Sequence, residues 1–204
     1  MNTATTGTDV RQHILDVAKP LILGKGFTAV GLTELLAAAQ IPKGSFYHYF
    51  DSKEGFGEAL LGQYFSGFLQ HLDALLARPG PEAQRLMAFW DYWLATQISD
   101  NPADRCLVVK LGAEVCDLSE RMRAVLDQGT RRIIERLARC IEAGKADGSL
   151  PLQADAADPA ELATRLYQTW LGASLLAKIT RSRSPLDNAM ASTRQLLGLC
   201  ATAD

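Results

Sequence analysis

The side chains with the most chemistry to offer are four cysteines, Cys106, Cys116, Cys140 and Cys200, and a polar run between Lys43 and Lys53. Cys106 follows Asn101-Pro102 near the expected start of a helix, where unpaired amides and the adjacent Arg105 favour thiolate over thiol. A thiolate attacks quinones, aldehydes, maleimides and hypochlorous acid. Lys110, one turn on, adds a positive charge, and Lys178 offers a second cation, or an amine to condense with an oxidised sulfur where the fold brings the two together. Cys116 is a poor disulfide partner for Cys106, because ten helical residues separate their Cα atoms by about 15 Å and a disulfide tolerates less than about 7 Å. The alternative for every cysteine is a small buried apolar side chain. That alternative is preferred for Cys140, Cys116 and Cys200, while Cys106 stays open between sensing and burial.

In the polar run, Ser, His, Tyr and Lys side chains gather at a helix N-terminus, where free amides already attract anions and donors can reach phosphates and base edges. Phe46 and Phe50, four apart, point inward. Lys43, Gly44, Ser45, Tyr47, His48 and Tyr49 are left to face outward. Consecutive helical residues fan around the helix, so Tyr47, His48 and Tyr49 cannot all be core. His13 and His71 stand alone and read as ordinary structural residues. Glu114, Asp117 and Glu120 read as surface charges or helix caps, and no nucleophile, base and oxyanion site assembles, so no enzymatic activity is expected. No Cys/His cluster has zinc-ligand spacing, and no cofactor is expected.

The elements that must position these residues are helices, because apolar residues recur three and four apart and nowhere alternate as in strands. The patterning predicts a first helix from Asp9 to Lys25, capped by Asp9 or Thr8, ended by Gly26 and interrupted by Pro20. Thr33 looks like the N-cap of a short helix through Ala39, and Pro42 opens another from Lys43 to about Phe50, in the outline of a helix-turn-helix. A connecting helix from Lys53 to about Leu76 steps by four through Phe56, Leu60, Tyr64, Phe68 and Leu72. Further helices are expected over Glu82 to Ser99, Ala103 to Cys116, Ser119 to Ala146, Pro159 to about Arg181 and Pro185 to Cys200. The fold class is all-α. Phe89, Trp90, Tyr92, Trp93, Tyr167 and Trp170 read as core more readily than as the lining of a ligand pocket.

With 204 residues, 48% of them hydrophobic, the chain suffices for one sizeable core or two smaller units, and excludes a wholly disordered protein. No apolar run reaches the length of a membrane span, and Met1 to Thr8 lacks the order of a signal peptide, so a cytoplasmic protein with reduced thiols and no membrane partner is expected. The net charge of −2 does not announce nucleic acid. Nor does the segment 1–56, where Arg11, Lys19, Lys25, Lys43 and Lys53 face Asp9, Asp16, Glu34, Asp51 and Glu54. A small DNA-reading head needs only a local cluster of phosphate contacts.

The stretch Leu32-Thr33-Glu34-Leu35-Leu36-Ala37-Ala38-Ala39-Gln40-Ile41-Pro42-Lys43-Gly44-Ser45-Phe46-Tyr47-His48-Tyr49-Phe50-Asp51-Ser52-Lys53 resembles the DNA-binding signature of the TetR family. The resemblance spans roughly residues 9 to 57 and includes Gly26-Phe27. It implies an N-terminal three-helix helix-turn-helix DNA-binding domain, residues 1–56, joined to a helical ligand-binding and dimerisation domain, residues 57–204. It further implies that Lys43, Ser45 and His48 approach base edges, that Thr33, Tyr47, Tyr49 and Lys53 contact phosphate, and that Gly44 belongs to the same DNA-binding set. The family most often carries His where Tyr49 stands.

Two later stretches, Cys106 to Ser119 and Trp170 to Ser182, resemble a subgroup of the family tied to reactive electrophiles. By that resemblance Cys106, Lys178 and Cys116 form the effector-sensing set. The last two helices would make a homodimer's four-helix bundle, with Leu162, Leu166, Leu171, Leu175, Met190, Leu196 and Leu197 as its apolar residues. The two heads would then meet successive major grooves of a palindromic double-stranded DNA operator, about 34 Å apart. The expectation is a repressor released by an electrophile or oxidant. The alternatives are a regulator with a reversible, non-covalent small-molecule ligand, and a helical enzyme or scaffold with a vestigial head.

Overall fold

A computed structural model describes residues 7–99, 106–152 and 158–199, with side chains from residue 10 onward. Among these residues the chain is helical, with no strand. The elements are α1 (Gly7–Lys25), α2 (Leu32–Ala39), α3 (Lys43–Tyr49), α4 (Lys53–Leu76), α5 (Glu82–Ile98), α6 (Leu107–Leu118), α7 (Glu120–Ala146), α8 (Pro159–Thr180) and α9 (Ser184–Leu196). The caps proposed at Thr8 and Asp9, the residues 103–105 and Cys200 fall outside the described side chains.

Packing divides the chain into two compact units, Met1–Ser66 with Ser99–Gln128, and Gly67–Ile98 with Gly129–Asp204. This is not the division the motif suggests at residue 57. The first four helical turns of α4, all of α6 and the start of α7 belong with α1, α2 and α3, because their apolar faces are buried there. α4 and α7 contribute residues to both units.

In the first unit, Ile14, Leu15, Ala18 and Ile22 of α1 are buried with Leu21 half-buried beside them, and Phe27, Phe46, Phe50 and Phe56 make an aromatic core. Phe46 lies 5.1 Å from Phe50 and 5.7 Å from Phe56, centroid to centroid, with the rings tilted and within the range of about 4.5–7 Å over which aromatic pairs interact. α1 continues through Pro20 and closes with the Gly26 N–H on the Ile22 carbonyl at 2.8 Å, and the φ of +98° at Gly26 turns the chain out of the helix. Gly57 serves a different purpose. A Cβ there would meet Met122 Sδ at 2.3 Å and the Phe27 ring at 2.8 Å, so a bare backbone is what lets α7 lie against α4.

Two helix starts differ from expectation. Gly31, extended at φ −73° and ψ 153°, is the N-cap of α2, and Leu35 N–H closes the first turn on its carbonyl at 3.1 Å. Thr33 is therefore one residue inside the helix, and its hydroxyl caps nothing. Ser119 ends α6 in extended conformation and stands before α7, where its hydroxyl accepts from the Met122 amide at 3.5 Å.

The second unit has an indole core. Trp90 and Trp170 stack at 5.2 Å, Trp93 Nε1 donates to Ser174 Oγ at 3.0 Å, and Trp170 Nε1 donates to Thr193 Oγ1 at 2.9 Å, tying α5 to α8 and α8 to α9. Phe89, Trp90, Trp93, Tyr167 and Trp170 are all buried, as the core reading required, and Tyr92 is half-buried against His71. α8 opens with Asp158 accepting from the Ala160 amide at 3.2 Å and Pro159 in its first turn.

The expected bundle residues separate by burial. Leu162, Leu166 and Leu197 are buried within the chain's own core, whereas Leu175 and Leu196 are exposed, and Leu171 and Met190 are half-buried. The outward apolar face also includes Leu176 and Ile179, the latter 67% exposed. No described helix is long and apolar enough to cross a membrane.

Candidate nucleic-acid interface and thiol site

α3 is short, and its orientation is set by Phe46 and Phe50 beneath it. With those two rings inward, Lys43, Gly44, Tyr47 and His48 are exposed, while Ser45 and Tyr49 are half-buried. Lys43 Nζ sits 5.8 Å from the Tyr47 ring centroid, and the His48 and Tyr49 rings meet edge to face at 4.8 Å. Thr33 is exposed on α2. α2 and α3 are joined by a tight turn in which Gln40 adopts left-handed backbone angles, φ 54° and ψ 41°, and Ile41 N–H reaches the Leu36 carbonyl at 3.1 Å. His13 has the structural role its isolation suggested, its Nε2 donating to the Ala39 carbonyl at 3.1 Å and so holding α1 to the end of α2.

Lys53 lies behind this surface at the start of α4. Its ammonium donates to the Phe27 carbonyl at 3.0 Å and sits 4.9 Å from the centre of the Phe27 ring. Burial against that ring lowers its pKa below the ordinary lysine value, an effect opposed by the Glu114 carboxylate. Glu114 is a residue sequence reasoning left as a surface charge or cap. It accepts the amide hydrogens of Phe27 at 3.2 Å and Thr28 at 2.6 Å, 87 and 86 positions away. Burial pushes its carboxyl up, but the hydrogen bonds from Thr28 and Phe27 and the charge of Lys110 outweigh that, leaving it below the usual carboxylate range. No local pattern in the chain signals a partner so distant.

Arg121 adds a second attachment of α7 to the head, donating to Asp51 at 2.9 Å and to Glu58 at 2.8 Å. The hydrogen bonds from Arg121 and Ser52 hold the Asp51 carboxyl below its ordinary value.

Cys106 is the N-cap of α6, and is buried at 8% exposure. The Tyr64 hydroxyl donates to its sulfur at 3.6 Å. Burial pushes the thiol's pKa up, and the amides of Val108 and Val109 with the Tyr64 hydroxyl pull the other way without prevailing. The helix-terminus effect expected from the sequence is thus present but outweighed: the resting sulfur is a protonated thiol. Lys110 turns elsewhere, its Nζ donating to the Gly24 carbonyl at 3.4 Å. Arg105 lies outside the described residues.

Cys116 is exposed near the end of α6, contrary to the buried role preferred for it, because it falls on the outer side of the stripe formed by Leu107, Leu111 and Val115. Cys140 is buried as expected, its sulfur 3.3 Å from a Glu82 carboxylate oxygen, and burial with that negative neighbour pushes its pKa up to about 12. The three described cysteines are free thiols. Lys178 is on α8 in the second unit, whereas Cys106 belongs to the first. Among the described residues no group of His, Cys, Asp and Glu is arranged to hold a metal ion.

Comparison with known proteins places this geometry. The family profile for bacterial regulatory proteins of the tetR family matches residues 14–60, and the tetracyclin repressor-like C-terminal domain matches residues 83–193. The chain is 42% identical to the HTH-type transcriptional repressor NemR of Escherichia coli K12 over 193 residues, 94% of this chain and 96% of that protein. It is 33% identical to the repressor DhaR of Mycobacterium sp. strain GP1, covering 88% of each chain. The transcriptional regulator AcuR of Cereibacter sphaeroides is 37% identical over 79% of this chain and 73% of its own. The crystal structure of E. coli NemR in its reduced form superimposes with a TM-score of 0.87 over 95% of this chain and all of that one. The chain belongs to the TetR family of bacterial regulatory proteins.

Proposed function

We propose that the protein is a homodimeric transcriptional repressor that lays α3 of each head into the major groove of a palindromic operator and lets go when Cys106 is modified by an electrophile or oxidant. The observation that carries the reading is the placement of Cys106 at the first turn of α6, a helix packed onto the DNA-binding head within one compact unit. A change at the sulfur therefore acts on an element that already touches the head through Glu114 and Lys110.

In this proposal Lys43, Gly44, Ser45 and His48 face base edges, and Thr33, Tyr47, Tyr49 and Lys53 face phosphates. The exposed face of Leu175, Leu176, Ile179 and Leu196 pairs the two copies. The reaction begins from a buried, neutral thiol, which favours small uncharged reagents. With a quinone or maleimide, the sulfur electron pair forms a C–S bond and the thiol proton ends on the carbon adduct. With hypochlorous acid the sulfur is oxidised to a sulfenic acid and chlorine leaves as chloride. Either product is larger and more polar than the buried thiol it replaces, and a few kcal/mol of differential stabilisation suffices to release DNA. Cys116 and Lys178 complete the proposed sensing set, Cys116 as an exposed thiol and Lys178 as the second cation.

Fluorescence anisotropy of the reduced protein on its own upstream DNA tests this, repeated after a stoichiometric quinone or hypochlorite, with Cys106→Ser, Cys116→Ser and Lys178→Met alongside. Release by the reagent that vanishes only in Cys106→Ser is the expected result. Release that persists in Cys106→Ser removes this residue as the sensor and favours a reversible ligand. Absence of salt-sensitive DNA binding removes the regulator altogether.

A further inference from the structure

The turn that follows α1 is held from both sides by opposite charges. The Glu114 carboxylate accepts the N–H groups of Phe27 and Thr28, and the Lys53 ammonium donates to the carbonyl oxygens of the same two residues at 3.0 and 3.5 Å. In the peptide group that joins Phe27 C=O to Thr28 N–H, negative charge therefore faces the donor end and positive charge the acceptor end. Each charge polarises the dipole that binds the other, so the two contacts reinforce one another. The approach is close: besides the strain of its positive φ, a Cβ at Gly26 would lie 3.0 Å from Glu114 Oε2, so the carboxylate would have to give by a few tenths of an ångström. Closing α1 does not require it, since Gly26 N–H already returns to the Ile22 carbonyl.

We propose that Glu114 is a positioning residue for operator binding, which seats Lys53 through the Phe27–Thr28 turn and so lets α6 govern a phosphate contact it never touches. The inference rests on the reading of Lys53 as a phosphate-contacting residue. An ammonium has three N–H donors. Two are spent on the Phe27 and Thr28 carbonyls, which fix the group in place and leave one for a phosphate oxygen. Without Glu114 the turn loses its anchor on the amide side, its carbonyls are no longer held in register, and Lys53 returns to the many rotamers of a surface lysine. Cys106, the N-cap of α6, stands eight residues or about 12 Å of helix before Glu114. A displacement at the sulfur thus has a direct route to the DNA surface.

The test is operator affinity as a function of salt for the wild-type chain, Glu114→Gln, Glu114→Asp, Lys53→Gln and the double variant Glu114→Gln/Lys53→Gln, with circular dichroism and thermal midpoint confirming the fold. Glu114→Gln is expected to bind about tenfold more weakly and to lower the salt slope by about one, the signature of one lost phosphate contact. The double variant is expected to be no weaker than Lys53→Gln alone, because both substitutions remove the same contact. Glu114→Asp, which keeps the charge, is expected to restore the slope, and it keeps the test open should Glu114→Gln melt early. Wild-type affinity and slope in Glu114→Gln, multiplying losses in the double variant, or a slope left low by Glu114→Asp would each overturn the proposal. An unchanged slope in Lys53→Gln would instead strike the phosphate role of Lys53, and the positioning role falls with it.

Discussion

The Tyr64 hydroxyl of α4 donates to the sulfur of Cys106, the residue that caps α6, across 3.6 Å. Together with the amides of Val108 and Val109 it favours the thiolate, and burial more than offsets all three. In a chain with Cys116, Cys140 and Cys200 changed to Ser, the alkylation rate of Cys106 should climb about tenfold per pH unit through neutrality, with no plateau below the ordinary thiol value of about 8.5. Tyr64→Phe should slow the reaction about threefold at fixed pH, because one of the groups favouring thiolate is gone. A rate that levels off near pH 7 would contradict the buried, protonated thiol.

Alkali should weaken the fold through the same burial. Cys106 and Cys140 both hold their protons more tightly when folded, Cys140 up to about 12, than in the unfolded chain, where a thiol titrates near 8.5. The folded state then carries more protons at high pH, so its stability is intact below about pH 8.5 and declines as pH rises from there towards 12. Urea midpoints in reducing buffer should be flat from about pH 7 to 8 and lower near pH 10. Cys140→Ala should lose less over that interval than wild type, and an equal loss would remove Cys140 as a contributor.

Gln40 occupies a left-handed conformation that costs a residue with a Cβ about 1 kcal/mol or more. Gln40→Gly should therefore raise stability by about 1 kcal/mol, partly offset by the greater freedom of glycine in the unfolded chain. Its amide bonds to Ala37 and Leu36 are made by backbone and survive the change. Denaturant titration decides it, and a loss of stability would show that the side chain contributes more than the strain costs.

On the DNA side, His48→Ala should weaken binding by about 1–3 kcal/mol and relax preference at one operator position while leaving the salt slope near its original value. Tyr47→Phe should weaken binding to all sequences about equally. Selection from a randomised operator library separates the two outcomes. Uniform weakening by His48→Ala would move His48 from base edge to backbone.

Ile179→Glu places a charge on the bare face of α8 without disturbing the indole core beneath. It should give a folded monomer by sedimentation and operator affinity reduced by a hundredfold or more, since a single head retains only its own contacts. A dimer that persists would place the interface elsewhere.

The helical plan was legible because its signals are local. Gly26, Pro42, Phe46 and Phe50, and the four-residue steps of α4, each act within a turn or two. The caps moved by a residue or two where backbone replaced side chain, as at Gly31 before Thr33. Cys106 could be placed at a helix start, but the sign of its pKa shift depends on what α4 packs over it, which no spacing records. Glu114 was illegible for the same reason: its partners are fixed only when α6 settles on the turn after α1. Leu162 and Leu175 show the limit of periodicity, since both are leucines at helical spacing and only packing reveals that one is core and the other bare.

The bare leucines and isoleucine of α8 have a consequence for regulation that operates before any reagent arrives. When such a face is covered only by a second copy, folding stability and the pairing of heads both depend on how many copies are present. Promoter occupancy then rises more steeply than in proportion to protein, because two chains must meet before one site is filled. Under the proposed function, a gene controlled this way would answer to the abundance of its regulator as well as to the state of Cys106, and a modest fall in synthesis would open the promoter without any electrophile.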